Sequence, residues 1–249
     1  MVRLQRAPDP AAVVDGSPRC GRDPRGEERR ARLAARGSRE DVTAEPRRRL
    51  AEGGAAILGR PLAAAERHLF SKYLELLQKW NRVHRMVGSD DPMWITETLF
   101  LDSLLFTRLL PGSIGSLLDL GSGAGLPGIP IKLVRPAISL TMIESRRRRA
   151  SFLSTVIREL ELERATVIAE RADVALREHR GAFDAVTMRC AGDPSDMMPL
   201  ALEFVREGGI AVVSGPPRPT PTRGVEWVDV PGVTAGSVRR FGVARRPAR

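Results

Sequence analysis

Hydrophobic positions along the chain first become periodic near residue 61. Large apolar residues then recur at helical spacing, with charged residues between them: Leu62, Leu69, Phe70, Tyr73, Leu76, Leu77 and Trp80. This spacing predicts an amphipathic helix that packs one face against other elements. A second apolar helix is predicted over residues 94–110, because an Asp-Asp-Pro start signal precedes it and a Pro-Gly stop follows it. Together the two helices predict a helical cap.

From residue 113 onward, short β-rich runs alternate with helical stretches, a pattern typical of parallel α/β sheets. Strands are predicted at residues 116–120, 139–144, 166–169, 183–188 and 210–214. Helices are predicted at 128–134, 147–161 and 195–206, with a short crossover near 172–180. Residues 225–230 and 238–243 predict a closing antiparallel pair. The expected fold class is therefore α/β, a Rossmann-like and mostly parallel seven-stranded sheet with helices on both faces.

The first 60 residues have a different composition. They are rich in Arg, Pro, Gly, Ala and acids and contain few large apolar groups. Such a segment cannot bury enough apolar surface to order itself, so we expect it to be mostly disordered, with a transient helix around residues 27–36. The predicted organisation is a disordered extension (1–60), a helical cap (61–111) and an α/β domain (112–246).

The net charge of +10 is concentrated near the two ends of the chain. Residues 1–50 hold 13 Arg against 8 acids, and residues 216–249 hold 7 Arg against 2 acids, whereas the charges between them cancel. Arg-rich tails can hold an RNA backbone through salt-dependent phosphate contacts. The alternative is a solvated tail charge without a specific partner.

Several classes of protein are not expected. Residues 1–24 lack the apolar segment of a secretory signal, and no stretch approaches the roughly 18 apolar residues of a membrane span. Cys20 and Cys190 lie far apart and fit no metal spacing, so neither a disulfide nor a zinc site is expected. We predict a cytoplasmic protein with no membrane or metal partner, and a monomer is favoured.

A glycine-rich loop is the strongest local signal. The run DLGSGAGLPG, residues 119–128, lies directly between an apolar strand and a helix. Glycine lets the backbone turn sharply and lets a ligand approach without a Cβ in the way. Glu144 ends the next predicted strand, where a carboxylate can accept hydrogen bonds from both ribose hydroxyls. The two features predict a site for an adenosine-containing ligand, and the alternative is a tight turn without one.

Three observations favour S-adenosylmethionine over a dinucleotide. Leu126 replaces the third glycine of the dinucleotide fingerprint GxGxxG. Asp119 precedes the first glycine by two residues, where an acid can face the cationic end of the methionine moiety. The chain also closes with a hairpin pattern rather than with a second mononucleotide-binding half, so little protein remains to hold a nicotinamide.

Several segments match one known family. They are DLGSGAGLPGIPIKLVRP (119–136), Glu144-Ser145 with Arg148, Arg149, Phe152 and Leu153, Arg171-Ala172-Asp173, and FDAVTMR (183–189). Upstream, YLELLQKWN (73–81) and FLDSL (100–104) also match. On these segments the chain resembles the bacterial small-subunit ribosomal RNA guanine-N7 methyltransferases, also called the glucose-inhibited division protein B family. The similarity covers about residues 66–215.

The resemblance implies a class I methyltransferase fold, S-adenosylmethionine as cofactor, and methyl transfer to guanine N7 of 16S ribosomal RNA. The partner would be ribosomal RNA or the small-subunit particle. Gly121 and Leu126 would line the methionine and ribose part of the cofactor, Glu144 would bind the ribose, and Ala172 with Asp173 would meet the adenine. The implied cofactor-binding residues are Gly121, Gly123, Leu126, Glu144, Ala172, Asp173 and Arg189.

Arg189 matches the arginine in the active-site cleft of the family and is the implied catalytic residue. Independently of the resemblance, the planar fork of an arginine at a strand end can orient a carboxylate, a phosphate or a guanine edge. The alternative is a surface ion pair. The neighbouring run of arginines at 146–149 predicts either contacts to RNA phosphates or a solvated helix face.

Some positions depart from the pattern of the family. They are Arg85, Met86, Val87, Thr98, Leu99, Cys190 and Ser214, and they fall on the face expected to meet the acceptor, whereas the cofactor loop is intact. Two further hypotheses therefore stay open. One is a methyltransferase of the same fold that acts on a small molecule, and the other is a catalytically silent relative that binds ribosomal particles.

Overall fold

The computed structural model describes residues 44–189, 194–216, 218–234 and 236–248. In chain order the strands are β1 (Ser116–Leu120), β2 (Ser139–Ile143), β3 (Ala165–Ile168), β4 (Phe183–Met188), β5 (Val205–Ser214), β6 (Glu226–Pro231) and β7 (Val238–Arg245). The α-helices are α1 (residues 44–58), α2 (Ala64–His84), α3 (Pro92–Trp94), α4 (Asp102–Leu105), α5 (Gly128–Val134), α6 (Arg147–Glu159), α7 (Ala172–His179) and α8 (Pro194–Phe204). A π-helix (Ile95–Leu101) joins α3 to α4, and a short 3-10 helix (Phe106–Arg108) follows α4.

The seven strands form one sheet in the order β3-β2-β1-β4-β5-β7-β6. Strands β1 to β5 are parallel, whereas β7 runs antiparallel to both β5 and β6. The central strand β1 pairs with β2 on one side and with β4 on the other, so that Leu118 faces Thr141 and Val186. The predicted Rossmann-like fold of class I methyltransferases, with its closing antiparallel pair, is confirmed.

The sheet has an apolar core on each face. Side chains of successive strand residues point to opposite faces, and β1 accordingly places Leu117 in one core and Leu118 in the other. The first core contains the apolar faces of α2, α5 and α6, and the second those of α7 and α8. Because parallel strands are covered on both sides, their carboxyl ends are the part of the sheet where a ligand can approach.

Helix α2 begins at the predicted apolar repeat. The main-chain N–H of Ala63 donates to the Glu66 carboxylate at 2.7 Å, which stabilises the first turn. Phe70, Tyr73 and Leu77 lie on its buried face. The helix ends where Arg85 adopts a left-handed conformation (φ 48°).

The second predicted helix corresponds to residues 92–108 and is not one regular α-helix. Asp91 caps it, because its carboxylate accepts from the main-chain N–H groups of Met93 and Trp94, at 3.4 and 3.0 Å. Its middle is the π-helix. The side chain of Phe100 in that segment stacks on Tyr73 of α2, with ring centroids 4.9 Å apart, and joins the two helices of the cap.

The prediction that residues 1–60 are disordered is wrong for residues 44–58, which form helix α1. Leu50 and Ile57 are buried. Gly53 and Gly54 bring the backbone of α1 close to the cap, since a Cβ at Gly53 would lie 2.6 Å from Leu101 and one at Gly54 2.7 Å from Leu62. Small residues thus let α1 pack closely against the cap. A count of large apolar groups does not detect such packing. The transient helix predicted at 27–36 lies outside the described residues.

Strand β5 begins at Val205, five residues before the predicted start. Val205 pairs with Phe183 of β4, and a bulge separates this pair from the regular pairing of Ala185 with Ile210. The predicted helix before it accordingly ends at Phe204 rather than at Arg206. The start of this strand was predicted too late because Gly208 and Gly209 interrupt its apolar pattern.

The described segments lack two kinds of feature. None of their helices carries an apolar run long enough to span a bilayer, and no three His, Cys, Asp or Glu residues in them group as metal ligands. Cys20 and Cys190 lie outside the described residues.

Candidate active site

The glycine loop turns directly after β1. Gly121, Gly123 and Gly125 all have positive φ angles, of 72°, 59° and 89°, which residues with a Cβ rarely adopt. The main-chain N–H groups of Gly121 and Ser122 both donate to the carbonyl oxygen of Ile143, at 3.0 and 3.1 Å. The loop is therefore anchored on the carboxyl end of the neighbouring strand β2.

Glu144 follows β2 and holds the same loop through its side chain. One carboxylate oxygen accepts from the Gly123 N–H at 2.9 Å, and the other accepts from the Arg146 N–H at 2.8 Å. Only 5% of Glu144 is exposed. Each carboxylate oxygen can accept more than one hydrogen bond, so both retain capacity for a ligand hydroxyl. The loop and the carboxylate predicted to share one ligand are thus in direct contact.

Asp119 lies below the loop and has no exposed surface. Its Oδ2 accepts from the Gly128 N–H at 2.9 Å and so joins the end of β1 to the start of α5. Its Oδ1 is buried without a hydrogen-bond partner among the described residues. Burial raises the pKa of Asp119 to about 7. The structure therefore places Asp119 under the loop, and its contact with the cationic end of the methionine moiety stays a prediction.

A first cavity of about 330 Å³ opens at the carboxyl ends of β1 and β2. Four of the predicted cofactor-binding residues line it, namely Gly121, Glu144, Ala172 and Asp173. Its other lining residues are Leu120, Ile143, Ser145, Glu170, Arg171, Met197 and Leu200. The cavity combines an apolar floor with carboxylates at its edge, a combination that suits a nucleoside.

A second cavity of about 430 Å³ lies on the other side of the loop. It shares Gly121 with the first cavity and contains the three remaining predicted site residues, Gly123, Leu126 and Arg189. Its other lining residues are Met86, Val87, Gly88, Trp94, Thr98, Leu99, Ser122, Ala124 and Arg149. All seven predicted site residues thus line one of two cavities that meet at Gly121.

Arg189 follows β4 and reaches across the second cavity to the π-helix. Its guanidinium donates to the carbonyl oxygens of Leu99, at 3.1 Å, and of Thr98. It also contacts the Ser103 hydroxyl at 3.4 Å and lies 3.9 Å from the Asp102 carboxylate. Only 14% of the side chain is exposed. The structure therefore places Arg189 at the cavity, and its contact with Asp102 is largely buried rather than the surface ion pair of the alternative.

Two residues at the site were not predicted as part of it. The buried Tyr73 hydroxyl donates to the carbonyl oxygen of Ala124 in the glycine loop, at 2.5 Å. Arg149 of α6 lines the second cavity, although the run 146–149 was predicted only as a phosphate contact or a solvated face. The sequence contains no other tyrosine, and its place on the apolar face of α2 was the available signal, since a buried hydroxyl needs a partner.

The positions that depart from the family pattern are concentrated at the second cavity. Met86, Val87, Thr98 and Leu99 all line it. Arg85 lies just before them at the end of α2. Ser214, at the end of β5, lines neither cavity, and Cys190 lies outside the described residues. The first cavity contains none of these departures.

Comparison with known proteins identifies relatives over most of the described chain. A family model, GidB, described as rRNA small subunit methyltransferase G, matches residues 66–214. The protein named ribosomal RNA small subunit methyltransferase G from Laribacter hongkongensis is 34% identical over 158 residues, which are 64% of this chain and 74% of that protein. The protein of the same name from Nitrosospira multiformis is 38% identical over 163 residues, 66% of this chain and 73% of that protein.

One solved structure shares the fold. The cofactor-bound structure of Rv0187 from MTB superposes with a TM-score of 0.51 at 14% sequence identity. The superposition covers 73% of this chain and 90% of Rv0187. At that identity the similarity concerns the arrangement of the sheet and helices alone.

Proposed function

Because this chain belongs to the rRNA small subunit methyltransferase G family, we propose that it is an enzyme that uses S-adenosylmethionine to methylate guanine N7 of small-subunit (16S) ribosomal RNA. One observation carries the proposal. Two cavities meet at Gly121, and one is lined by Glu144 while the other is lined by Arg189. A cofactor in the first could therefore present a methyl group to an acceptor in the second.

The residues of the first cavity fit the adenosine part of S-adenosylmethionine. The Glu144 carboxylate lies at its edge with acceptor capacity for ribose hydroxyls, and Ala172 and Asp173 line the part assigned to the adenine. Gly121 lines both cavities, and Gly123 and Leu126 line the second. Glycine at position 123 allows the backbone φ of 59°.

When bound, the cofactor supplies a methyl group on a positively charged sulfur. Guanine N7 carries a lone pair and no proton, so no general base is needed and the rate depends on positioning and electrostatics. The second cavity contains no histidine or cysteine among its described lining residues, which agrees with this requirement. Arg189 and Arg149 bring two guanidinium groups to the same cavity. A guanidinium there can hold a guanine by its O6, while N7 keeps its lone pair for the methyl group.

A second candidate function keeps the cofactor and changes the acceptor. It is favoured by four of the seven departures from the family pattern, since Met86, Val87, Thr98 and Leu99 line the second cavity. Three of these four residues, Met86, Val87 and Leu99, are apolar, and such a lining could suit a small molecule in place of a guanine splayed out of RNA. The third hypothesis from the sequence is a catalytically silent relative that binds ribosomal particles.

Methyl transfer from labelled cofactor tests the proposal. The purified chain is incubated with S-adenosylmethionine and with 16S ribosomal RNA, naked or in small-subunit particles that lack the modification, and the labelled RNA is mapped by mass spectrometry. We expect one guanine to gain a methyl group at N7. Transfer to a metabolite extract but not to RNA would favour the small-molecule function. Particle binding without any transfer would favour the silent relative.

Gly123→Val provides the matched control, because a branched Cβ strains a backbone with φ 59° in the loop that lines the second cavity. This variant should bind RNA but transfer no methyl group. Location in the cytoplasm and a monomeric state remain predictions, and they are tested by fractionation and by analytical ultracentrifugation.

A further inference from the structure

Helix α2 borders a concave surface outside the two cavities of the active site. Between α1 and α2 lies a groove of about 370 Å³, here called the first groove. Its lining residues are Arg47, Leu50, Arg67, His68, Ser71, Lys72 and Glu75. It thus carries three permanent cations and one carboxylate, although it lies away from the glycine loop.

A second groove of about 470 Å³ follows between α2 and α6. Its lining residues are Leu76, Lys79, Trp80, Val83, His84, Thr155, Arg158 and Glu159. The two helices run in opposite directions, because Lys72 donates to the carbonyl oxygen of Glu159 at 2.9 Å, whereas Trp80 packs on Phe152, with ring centroids 5.5 Å apart.

The two grooves lead to the active site. Met86 and Val87 follow the C-terminal end of α2, beyond Trp80. Arg149 lies in the first turn of α6. All three of these residues line the second cavity. The first groove, the second groove and the second cavity therefore lie one after another from the N-terminal to the C-terminal end of α2.

Charge along this path is predominantly positive. The cations are Arg47, Arg67, Lys72, Lys79, Arg158, Arg149 and Arg189, and the carboxylates are Glu75 and Glu159. Within the described chain, Arg47, Lys79 and Arg149 form no ion pair, whereas Arg48 on the same helix as Arg47 pairs with Glu45 at 2.5 Å and Glu52 at 2.9 Å. Cations without an acidic partner on a concave surface are suited to phosphate groups.

The second groove adds aromatic surface to this charge. The rings of Trp80 and His84 lie 5.3 Å apart, Trp80 is only partly buried, and 73% of Val83 is exposed. Proteins that hold single-stranded nucleic acid combine cations that follow the backbone with aromatic groups on which bases stack. An acidic protein partner would match the charge but would have no base to stack on the rings. The grooves therefore favour RNA.

We propose that the first and second grooves form a track for the phosphate backbone of the substrate RNA and lead it to the second cavity. This inference rests on the proposed function for the identity of the RNA. It assigns Arg47, Arg67 and Lys79 to RNA binding and assigns them no part in cofactor binding or methyl transfer. They are substrate-positioning residues whose contacts precede the reaction.

Equilibrium binding of a 16S RNA fragment to the full chain tests the track without any need for turnover. The track variant combines Arg47→Gln, Arg67→Gln and Lys79→Gln. Its control combines Arg48→Gln, Arg177→Gln and Arg223→Gln, which remove the same charge at exposed positions outside both grooves. Affinity is measured over a series of salt concentrations, melting temperature verifies folding, and calorimetry with S-adenosylmethionine verifies the cofactor site.

We expect the track variant to bind RNA at least tenfold more weakly, with a salt slope lower by about 2 to 3, because each of the three lost phosphate contacts contributes about 0.7 to 0.9. The control should stay within about twofold of the parent, and cofactor affinity should be unchanged in both. Equal losses of RNA affinity in the two variants, or no loss in either, would overturn the track.

If the track variant lost affinity only for a polyglutamate chain, the grooves would be assigned to an acidic protein, and this result would also overturn the track. If the parent binds RNA but does not methylate it, the proposed function fails while the variants still decide the track.

Discussion

The Tyr73 hydroxyl donates a 2.5 Å hydrogen bond to the carbonyl oxygen of Ala124 and so joins the helical cap to the glycine loop. Tyr73 is fully buried, and its ring stacks on Phe100 of the π-helix at an interplanar angle of 17°. The carbonyl of Ala124 belongs to the loop that Glu144 holds from the opposite side through Gly123. The cap is therefore part of the mechanical support of the candidate cofactor site.

Tyr73→Phe is expected to keep the ring contacts and remove this bond. The loss should lower the free energy of unfolding by about 1–2 kcal/mol, because Ala124 is left with a buried oxygen that lacks its partner. Affinity for S-adenosylmethionine should fall severalfold, as measured by calorimetry. Thr107→Val is the matched control, since Thr107 donates a buried hydrogen bond to Leu104 away from the loop. If both variants keep the affinity of the parent, the cap does not support the site.

Glu144→Gln should weaken cofactor binding strongly. The amide can offer only one oxygen, whereas the carboxylate accepts from both Gly123 and Arg146, and its NH₂ group would oppose one of those N–H groups. We expect a loss of roughly 100-fold in affinity, since hydrogen bonds to charged groups are worth about 1.5–3 kcal/mol each. Glu170→Gln, at an exposed position in the same cavity, should have little effect. Equal affinities of the two variants would refute the role assigned to Glu144.

Arg189→Lys separates the charge of this side chain from its shape. A lysine keeps the positive charge but cannot reproduce the planar fork that contacts Thr98 and Leu99 together. We expect kcat for RNA to fall by roughly 100-fold, because an ammonium group cannot hold the acceptor in the geometry that the planar guanidinium sets, and a misplacement of about 1 Å can cost about 100-fold. The affinity for S-adenosylmethionine should change little. A variant with the kcat of the parent would exclude Arg189 from the reaction.

Asp119 makes stability depend on pH in an unusual direction. Burial raises the pKa of this carboxyl to about 7 in the folded chain, above its unfolded value of 3.8. The unfolded chain therefore ionises first, and the folded state loses stability as pH rises from about 4 to about 7. Asp119→Asn can still accept from Gly128 and does not titrate. Its melting temperature should vary less than that of the parent across this pH range, without cofactor present. Parallel curves would contradict the assignment.

Gly125→Ala should destabilise the loop severely. A Cβ at Gly125 would lie 2.2 Å from Ile129, and the residue has a φ of 89°. We expect a loss of about 3 kcal/mol or more in unfolding free energy, because overpacking and backbone strain each cost about 1–3 kcal/mol. Gly59→Ala is the control, since Gly59 also has a positive φ but nothing lies within 4 Å of its added Cβ. Chemical denaturation should show only the strain cost there, and equal losses would contradict the packing argument.

The cofactor side of the site was largely predictable from local sequence. The bounds of β1, β4 and α5 agree with the prediction, because each is a short apolar run next to glycine or charged residues. The glycine loop and Glu144 each follow a strand of a parallel sheet, so their proximity follows from topology alone. Both features lie next to strands that the sequence pattern predicts, so neither depends on contacts between distant elements.

The acceptor side was decided by the tertiary structure. Helix α1 packs through Gly53 and Gly54, and no apolar periodicity announces such contacts. Arg189 meets the π-helix about 90 residues earlier in the chain, and Tyr73 meets Ala124 across 51 residues. Periodicity reports which side of an element is buried but not which element covers it. By itself the sequence determined the sheet, the loop and the carboxylate, whereas only folding could bring cations from α1, α2 and α6 onto one path.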